Sequence, residues 1–331
     1  MKKKLRIAVA GAGMVTHHHL IAWSRLAHLE VVAIYNRTLD KANARAREFG
    51  IPKVYSDIEK MLDQERPNAL DIAVAVEAHA AFAKMAAERG IHILCQKPMT
   101  QTLKEAEALV AEIGERVRFM VHENWRFRPQ YRQAAKWIAE GRTGPIREFR
   151  LSTRSSGIVT KTEKGIPVAL ERQPFLVHLP RFIIFELLIH HLDTSRFLVG
   201  EMSVVSSKKT HVSPEVVGED VALILLNAEN GAIGTISGNL SAAGAPPLPR
   251  DRLELIGERS SILFDNDTLM IHGEANETLH INLEEAYQTS YNNAIAHFDE
   301  ALRTGQPFET DRLDNLKTLR LVDDAYRLAG I

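Results

Sequence analysis

A short apolar run, Leu5 to Ala10, leads into Gly11-Ala12-Gly13-Met14-Val15-Thr16 and then into an amphipathic stretch reaching about Ala27. The order strand, glycine turn, helix is what gives a pair of closely spaced glycines its meaning. Gly11 permits a tight turn, and Gly13 has no side chain to hold an approaching anion off the backbone. The helix start behind them offers unpaired N–H groups and a partial positive charge to phosphates. The stretch therefore reads as a dinucleotide-binding turn, with Gly11, Ala12, Gly13, Met14 and Val15 contacting the cofactor. Thr16 stands where a third glycine is usual, so helix and strand are expected to sit slightly farther apart.

Strand and helix signals alternate from there to His122. Strands are expected at Glu30 to Tyr35, Leu70 to Val76, Ile91 to Cys95 and Arg118 to Val121. Helices are expected at Leu39 to Phe49, from Ser56 or Asp57 to Leu62, at His79 to Arg89, and at Thr102 to Ile113. Such alternation predicts a doubly wound parallel sheet of α/β type. The remainder has another texture. A helix at Gln130 to Glu140 precedes a long alternating strand, Ile146 to Ser155, and a polar segment, Ser156 to Gln173, without clear periodicity. A helix from Arg181 to Val199 follows, then β-type runs at Val204–Lys209, Val221–Leu226, Ala232–Leu240, Arg252–Ile256, Ser260–Phe264 and Leu269–His272. Gly257-Glu258 and Asn266-Asp267 read as hairpin turns. Helices at Ser290–Arg303 and Arg312–Leu328 finish the chain. The expected architecture is a Rossmann domain over residues 1–123 and an α+β domain over 124–331, built on a large, mostly antiparallel open sheet. The terminal helix, 312–328, could dock back on the first domain.

The 331 residues are 45% apolar and 25% charged, with a net charge of −1, so composition indicates an ordinary globular protein rather than a nucleic-acid binder. Lys2-Lys3-Lys4 resembles the start of a signal peptide, but the apolar run behind it breaks at Gly11, and no stretch approaches a membrane span of ~20 residues. The single Cys95 allows no internal disulfide and fits a reducing compartment. A cytoplasmic protein with no membrane or nucleic-acid partner is expected.

Four groups of residues could carry chemistry. Asn36 ends the second strand where NAD-selective folds place an acidic residue, and Arg37 with Lys41 one turn on can meet a 2′-phosphate, so NADP(H) is favoured, with NAD(H) possible. Lys97 lies just past a parallel strand, at the edge where open α/β sheets bind ligands. Glu186, His190 and Asp193 are spaced to share one helix face, and an apolar helix needs partners or a cleft for such groups; His191 points elsewhere, as a structural or rim histidine. His17-His18-His19 cannot share one ion, because successive helical side chains diverge by ~100°. No metal-ligand spacing occurs elsewhere, so no metal site is expected. Cys95 reads as an inert buried thiol.

Taken together, the motifs resemble the glucose–fructose oxidoreductase / inositol dehydrogenase (Gfo/Idh/MocA) family over almost the whole length. Gly11-Ala12-Gly13 with His19, His79 ahead of Gly90, Gln96-Lys97-Pro98, and Asn124-Trp125-Arg126-Phe127-Arg128-Pro129 match its pattern, as does Glu186 to Asp193, where the family usually has Asp-x-Gly-x-His-x-x-Asp. Gln96 replaces the family's Glu, Glu186 its Asp and Leu188 its Gly, and Ala75 stands where a proline is usual. The resemblance implies a cis Lys97–Pro98 bond and adds His79, Gln96 and Lys97 to the cofactor site. It implies Asn124, Arg126, Glu186, His190 and Asp193, with Lys97, on the substrate, and a dimer or tetramer formed through the second domain's sheet.

The reading is an oxidoreductase moving hydride between a nicotinamide cofactor and a carbinol or carbonyl carbon of a sugar, polyol or related small molecule. Lys97, His190 and Glu186 are the catalytic candidates. Lys97 would stabilise the alkoxide-like charge, His190 would act as the base, and Glu186 would orient or charge-stabilise its ring. Rivals are a dihydrodiol dehydrogenase- or biliverdin reductase-like enzyme, and a silent NADP(H)-binding regulatory protein.

Overall fold

A computed structural model describes residues 4–330; Lys2 and Lys3 of the basic start lie outside the described residues. In chain order the first elements are β1 (Leu5–Ala10), α1 (Met14–Ser24), β2 (Leu29–Tyr35), α2 (Leu39–Phe49), β3 (Val54–Tyr55), α3 (Ile58–Glu65) and β4 (Ala69–Ile72). They continue with α4 (His79–Glu88), β5 (His92–Gln96), α5 (Leu103–Ile113) and β6 (Phe119–His122). The strands form one sheet in the order β3-β2-β1-β4-β5-β6, and every neighbouring pair is parallel. Right-handed crossovers impose this order when a parallel sheet is wound from its middle in both directions. The reversal of winding lies between β1 and β4. There the chain ends of two adjacent strands diverge and leave a crevice.

The later elements are α6 (Pro129–Ala139), β7 (Ile146–Arg154), α7 (Val168–Arg172), α8 (Ile189–Val199), β8 (Met202–Thr210), β9 (Val221–Ala228), β10 (Ile233–Asn239) and β11 (Arg250–Gly257). After them come β12 (Ser260–Asp265), β13 (Thr268–Gly273), β14 (Glu277–His280), α9 (Leu283–Thr304) and α10 (Arg312–Ala329). Eight strands make the second sheet, in the order β14-β13-β12-β11-β7-β10-β9-β8, antiparallel except where β7 meets β10. Alternation assigns its two faces. Phe149, Leu151, Ile224, Leu226, Ile236, Leu253 and Leu255 turn inward and are buried, whereas Leu223, Leu225, Ile233 and Ile256 turn outward and are exposed.

Several expectations need correction. The fourth strand stops at Ile72 rather than Val76, because the next residues turn past Gly11 into a short 3-10 turn, Val76–Ala78. The long helix from Arg181 is two segments: Ile183–Leu188 is π-helical, and only Ile189–Val199 is α-helical. Within the polar segment the chain forms α7, and β14 is an edge strand whose exposed side chains carry no apolar alternation to announce it. Helix α9 begins at Leu283, earlier than Ser290.

The units also differ from a cut at 123/124. The first comprises the chain up to Phe127 together with Tyr287–Lys317; the second comprises Arg128–Ala286 and the chain from Thr318. The reason is apolar packing. Tyr291, Ala294, Ile295, Phe298, Ala301 and Phe308 bury themselves in one core with Trp23, Leu20, Ile34 and Met120. Most of helix α9 belongs with the parallel sheet, whereas of the terminal helix only the first residues, Arg312 to Lys317, do. Helix α10 is divided between the units: Arg312 pairs with Glu115, while Thr318 receives a bond from Arg196 and Tyr326 donates to Glu219.

Candidate active site

The glycine turn is built as its residues require. Gly11 has φ +123°, and a Cβ there would lie 2.1 Å from the Ala73 carbonyl oxygen, so neither backbone nor space admits another residue. Thr16, fully buried in the third-glycine position, reaches the same carbonyl at 3.5 Å through its hydroxyl. Gly13, the residue before α1, is exposed, and a Cβ on it would meet nothing within 4 Å. No side chain caps α1, and its first turn holds no acidic residue. The leading N–H groups thus face open space with a positive end, which suits a pyrophosphate. Ala12 is buried, and Met14 and Val15 are half-buried at the helix start.

At the end of β2, the Asn36 amide donates to the Thr38 carbonyl at 2.9 Å, while Arg37 and Lys41 are exposed. Neither Arg37 nor Lys41 has an ion-pair partner among the described residues.

Two strands further along the crevice, β5 delivers Gln96 and then Lys97, whose bond to Pro98 is cis. Lys97 is half-buried. His79 is buried and lies between the two loops that follow β4 and β5. Its Nδ1 is 2.9 Å from the Pro98 carbonyl and its Nε2 3.1 Å from the Val74 carbonyl. Burial pushes this imidazole below its ordinary pKa, and the two carbonyls oppose that shift. His79 therefore ties the loops flanking the turn, an internal role that its position by resemblance did not specify.

The three histidines of α1 meet three surroundings, as a 100° step demands. His17 contacts Arg45 at 3.0 Å and Glu48 at 3.2 Å on α2. His18 meets Gln288 of α9 at 2.6 Å and stacks on Tyr291. His19 is fully buried against Asp71, 2.8 and 3.0 Å from its carboxylate oxygens, and Trp23 donates to the same carboxylate at 2.7 Å. Gln96 closes this network: its Nε2 is 2.6 Å from His19 Nε2 and 2.9 Å from His122 Nδ1. Asp71, His122, Gln288 and Tyr291 were not singled out in the sequence. A carboxylate in the otherwise apolar strand Ala69–Ile72 was the available signal, since a buried charge needs a partner. Cys95 is a free buried thiol whose pKa burial raises well above the ordinary value, with the Asp71 charge adding to the effect.

Asn124 is buried and donates to Ser290 at 2.7 Å. Arg126, also buried, pairs with Asp314 at 3.2 Å and donates to the Glu309 carbonyl at 3.0 Å. These contacts anchor Arg126 inside the first unit.

In the second unit, Glu186 lies half-buried in the π turn, and His190 and Asp193 are buried in α8. Glu186 thus belongs to the π segment, whereas His190 and Asp193 lie in the α-helix that follows it. Asp193 accepts from Thr318 at 3.2 Å. Leu188, in place of the family's glycine, is fully buried over Gly238 of β10; a Cβ on Gly238 would lie 2.9 Å from Leu188 and 2.7 Å from Ile183. The glycine absent from the helix is matched by one in the strand beneath it. His191 is structural: its Nε2 is 3.0 Å from Asp251 and its Nδ1 3.2 Å from the Leu187 carbonyl within the π turn. Tyr131 and Arg128 complete the cluster on Asp251, at 2.9 and 3.1 Å. Burial alone would raise this carboxyl's pKa, but the charges and bonds of His191 and Arg128 hold it well below the usual carboxylate range.

Among the described residues, no group of three or more His, Cys, Asp or Glu side chains is arranged to hold a metal ion, and no helix is long and apolar enough to cross a membrane.

Comparison with known proteins agrees with this geometry. Residues 5–123 match the model of an oxidoreductase family with an NAD-binding Rossmann fold, and residues 131–263 match the GFO/IDH/MocA C-terminal domain. D-apiose dehydrogenase of Paraburkholderia graminis is 32% identical across 98% of this chain and 87% of its own. D-apiose dehydrogenase of Rhizobium rhizogenes is 29% identical across 99% and 96%. The crystal structure of an oxidoreductase from Agrobacterium radiobacter, in complex with NAD+, L-tartaric acid and magnesium, superposes with a TM-score of 0.91 at 28% identity, covering 98% of this chain and 96% of that one. The two family matches cover both the parallel-sheet part and the open-sheet part of the chain, and the chain belongs to the Gfo/Idh/MocA family of oxidoreductases.

Proposed function

We propose that this protein is an NAD(P)-dependent dehydrogenase acting on a CH–OH group of a sugar or polyol. The observation that carries the reading is the pairing, on one sheet edge, of a glycine turn that fits a pyrophosphate with Lys97 two strands away. Relatives named for D-apiose set the substrate class. When bound, the nicotinamide ring accepts or returns the hydride. Lys97 supplies a positive charge to the substrate oxygen as it becomes alkoxide-like, which lowers the barrier only if that charge grows in the transition state. His190 receives the hydroxyl proton, the task for which an imidazole is suited near neutrality. Glu186, Asp193 and Asn124 are proposed to orient the polyol.

NADP(H) is the preferred cofactor in this reading, because Asn36 offers no carboxylate to the ribose while Arg37 and Lys41 can meet a 2′-phosphate. One charge-assisted contact is worth about 1.5–3 kcal/mol, or ~10-fold or more in affinity. A panel of pentoses, polyols and anhydrosugars assayed with both oxidised cofactors tests activity and preference together. Reduction of neither cofactor by any member would overturn the dehydrogenase reading, and faster turnover at lower KM with NAD+ would overturn the preference.

The exposed apolar residues Leu223, Leu225, Ile233 and Val205 on the outer sheet face support self-association into a dimer or tetramer. A monomer mass by light scattering would contradict it. A cytoplasmic location accords with the lone buried thiol, and cell fractionation checks it.

A further inference from the structure

We propose that Gln96 is a positioning residue that fixes both buried imidazoles beneath Lys97 in the neutral form, each in one tautomer. The inference starts from atom types. A primary amide nitrogen carries two hydrogens and accepts none, so at each of its contacts the ring nitrogen is the acceptor. His19 Nε2, 2.6 Å away, therefore bears no proton, and the ring's single proton sits on Nδ1, donating to Asp71. His122 Nδ1, 2.9 Å away, likewise bears none, which places that ring's proton on Nε2. Trp23 supplies the second donor to Asp71, so the carboxylate is satisfied without an imidazolium.

Asp71 faces His19 from β4, Gln96 faces both rings from β5, and Tyr291 of α9 packs against both; the rings themselves lie 4.2 Å apart, centre to centre. Asp71 is the acidic side chain bonded to His19.

The consequence follows from what the family pattern has at this position. A glutamate has no hydrogens to give, so each ring nitrogen facing it must carry one. His19, already donating to Asp71, would become an imidazolium held between two carboxylates. Gln96 keeps the same shape and removes that proton. The residue immediately before Lys97 is thereby anchored by two bonds whose donors do not change with pH, and Lys97 leaves the strand end in a constant direction.

The inference depends on the dehydrogenase reading only for its activity measurement; the tautomers can be measured without any substrate. Long-range 1H–15N correlation spectra of the labelled full chain report the protonation of each ring nitrogen. The expected wild-type result is an Nδ1–H tautomer for His19 and an Nε2–H tautomer for His122, unchanged between pH 6 and 8. In Q96E at least one ring becomes an imidazolium over the same range, and the pH profile of turnover gains an ionisation that wild type lacks. Q96L, which keeps the volume and loses both donors, lowers kcat about tenfold, the scale of a small misplacement near a reacting centre, with the dinucleotide KM less affected. Imidazolium signals in wild type, or identical ring states in wild type and Q96E, would overturn the proposal. Should Q96E fail to fold, the wild-type tautomers decide alone.

Discussion

Helix α1 and the segment Ile183–Val199 both carry consecutive histidines, and they present them by different rules. Helix α1 is regular, so His17, His18 and His19 point to α2, α9 and the core in turn. Ile183–Val199 begins as a π turn, and His190 and His191 stand just beyond the point where it tightens into α8. A wider turn leaves backbone carbonyls out of the α pattern, and the His191 ring meets one of them, on Leu187. One helix uses its histidines to bind three neighbours together. The other sets His191 against its own irregular backbone, on the Leu187 carbonyl. π turns of this kind often occur at functional sites, and the π turn's cost in hydrogen bonding has to be offset locally.

The contrast can be broken most strongly at His190. His190→Asn is expected to lower turnover by ~10²–10⁴-fold, the usual contribution of a positioned acid–base group, with dinucleotide affinity near wild type. Steady-state kinetics alongside a cofactor titration would check it. Full activity in the variant would move the base elsewhere, and an unfolded variant would make His190 another structural histidine, erasing the contrast.

Next in size is the cluster that supports His191. The Asp251 carboxyl is depressed in the folded protein, so its stabilisation is complete above the unfolded carboxylate pKa near ~4 and is lost as pH falls below that toward the folded value. Asp251→Asn leaves His191 and Arg128 without their carboxylate and should cost about 3 kcal/mol at neutral pH. Urea melts compared at pH 7 and pH 3 should show the gap between variant and wild type shrinking in acid. A gap that is constant with pH would mean that the ion pair contributes nothing.

Gly238→Ala probes the same segment from beneath. Its new methyl meets Leu188 and Ile183 closer than 3 Å, so a loss of roughly 1–3 kcal/mol is expected, the range for overpacking a core. Leu188→Gly in the same chain should recover part of this in thermal melts, despite the cost of a helical glycine. No recovery would show that Leu188 and Gly238 are not matched.

The smallest effect belongs to α1. His17 is part-exposed, with the exposed Glu48 and the half-buried Arg45 as its partners on α2, and His17→Ala should change stability by less than about 1 kcal/mol in the same melts.

What could be read from the chain follows the same division. Regular elements were legible: the turn at Gly11 and Gly13, five of the six parallel strands, and the alternating strands of the open sheet all show period and punctuation, whereas the two-residue β3 is too short to do so. The π turn was not. Apart from Glu186 the residues from Phe182 to Ile189 are all apolar, so a single polar side chain cannot record the slip. Spacing therefore suggested one regular α-helix for Glu186, His190 and Asp193, whereas Glu186 lies in the π turn and the other two in α8. Likewise Asp71 could be recognised as a charge in need of a partner, but its partner, His19, lies 52 positions away in sequence.

The assignment of Tyr287–Lys317 to the first unit has a consequence for the order of events during synthesis. The parallel sheet is complete once His122 has been made, yet Tyr291, Ile295, Phe298 and Phe308, which fill its core, come more than 160 residues later in the chain. Until then Trp23 and Leu20 lack the surface that buries them. A ribosome adding roughly 5–20 residues per second leaves that apolar seam open for about 10 seconds or more. The sheet that emerges first is thus among the last parts of the molecule to be finished, and a chain truncated before α9 would carry that seam permanently to water.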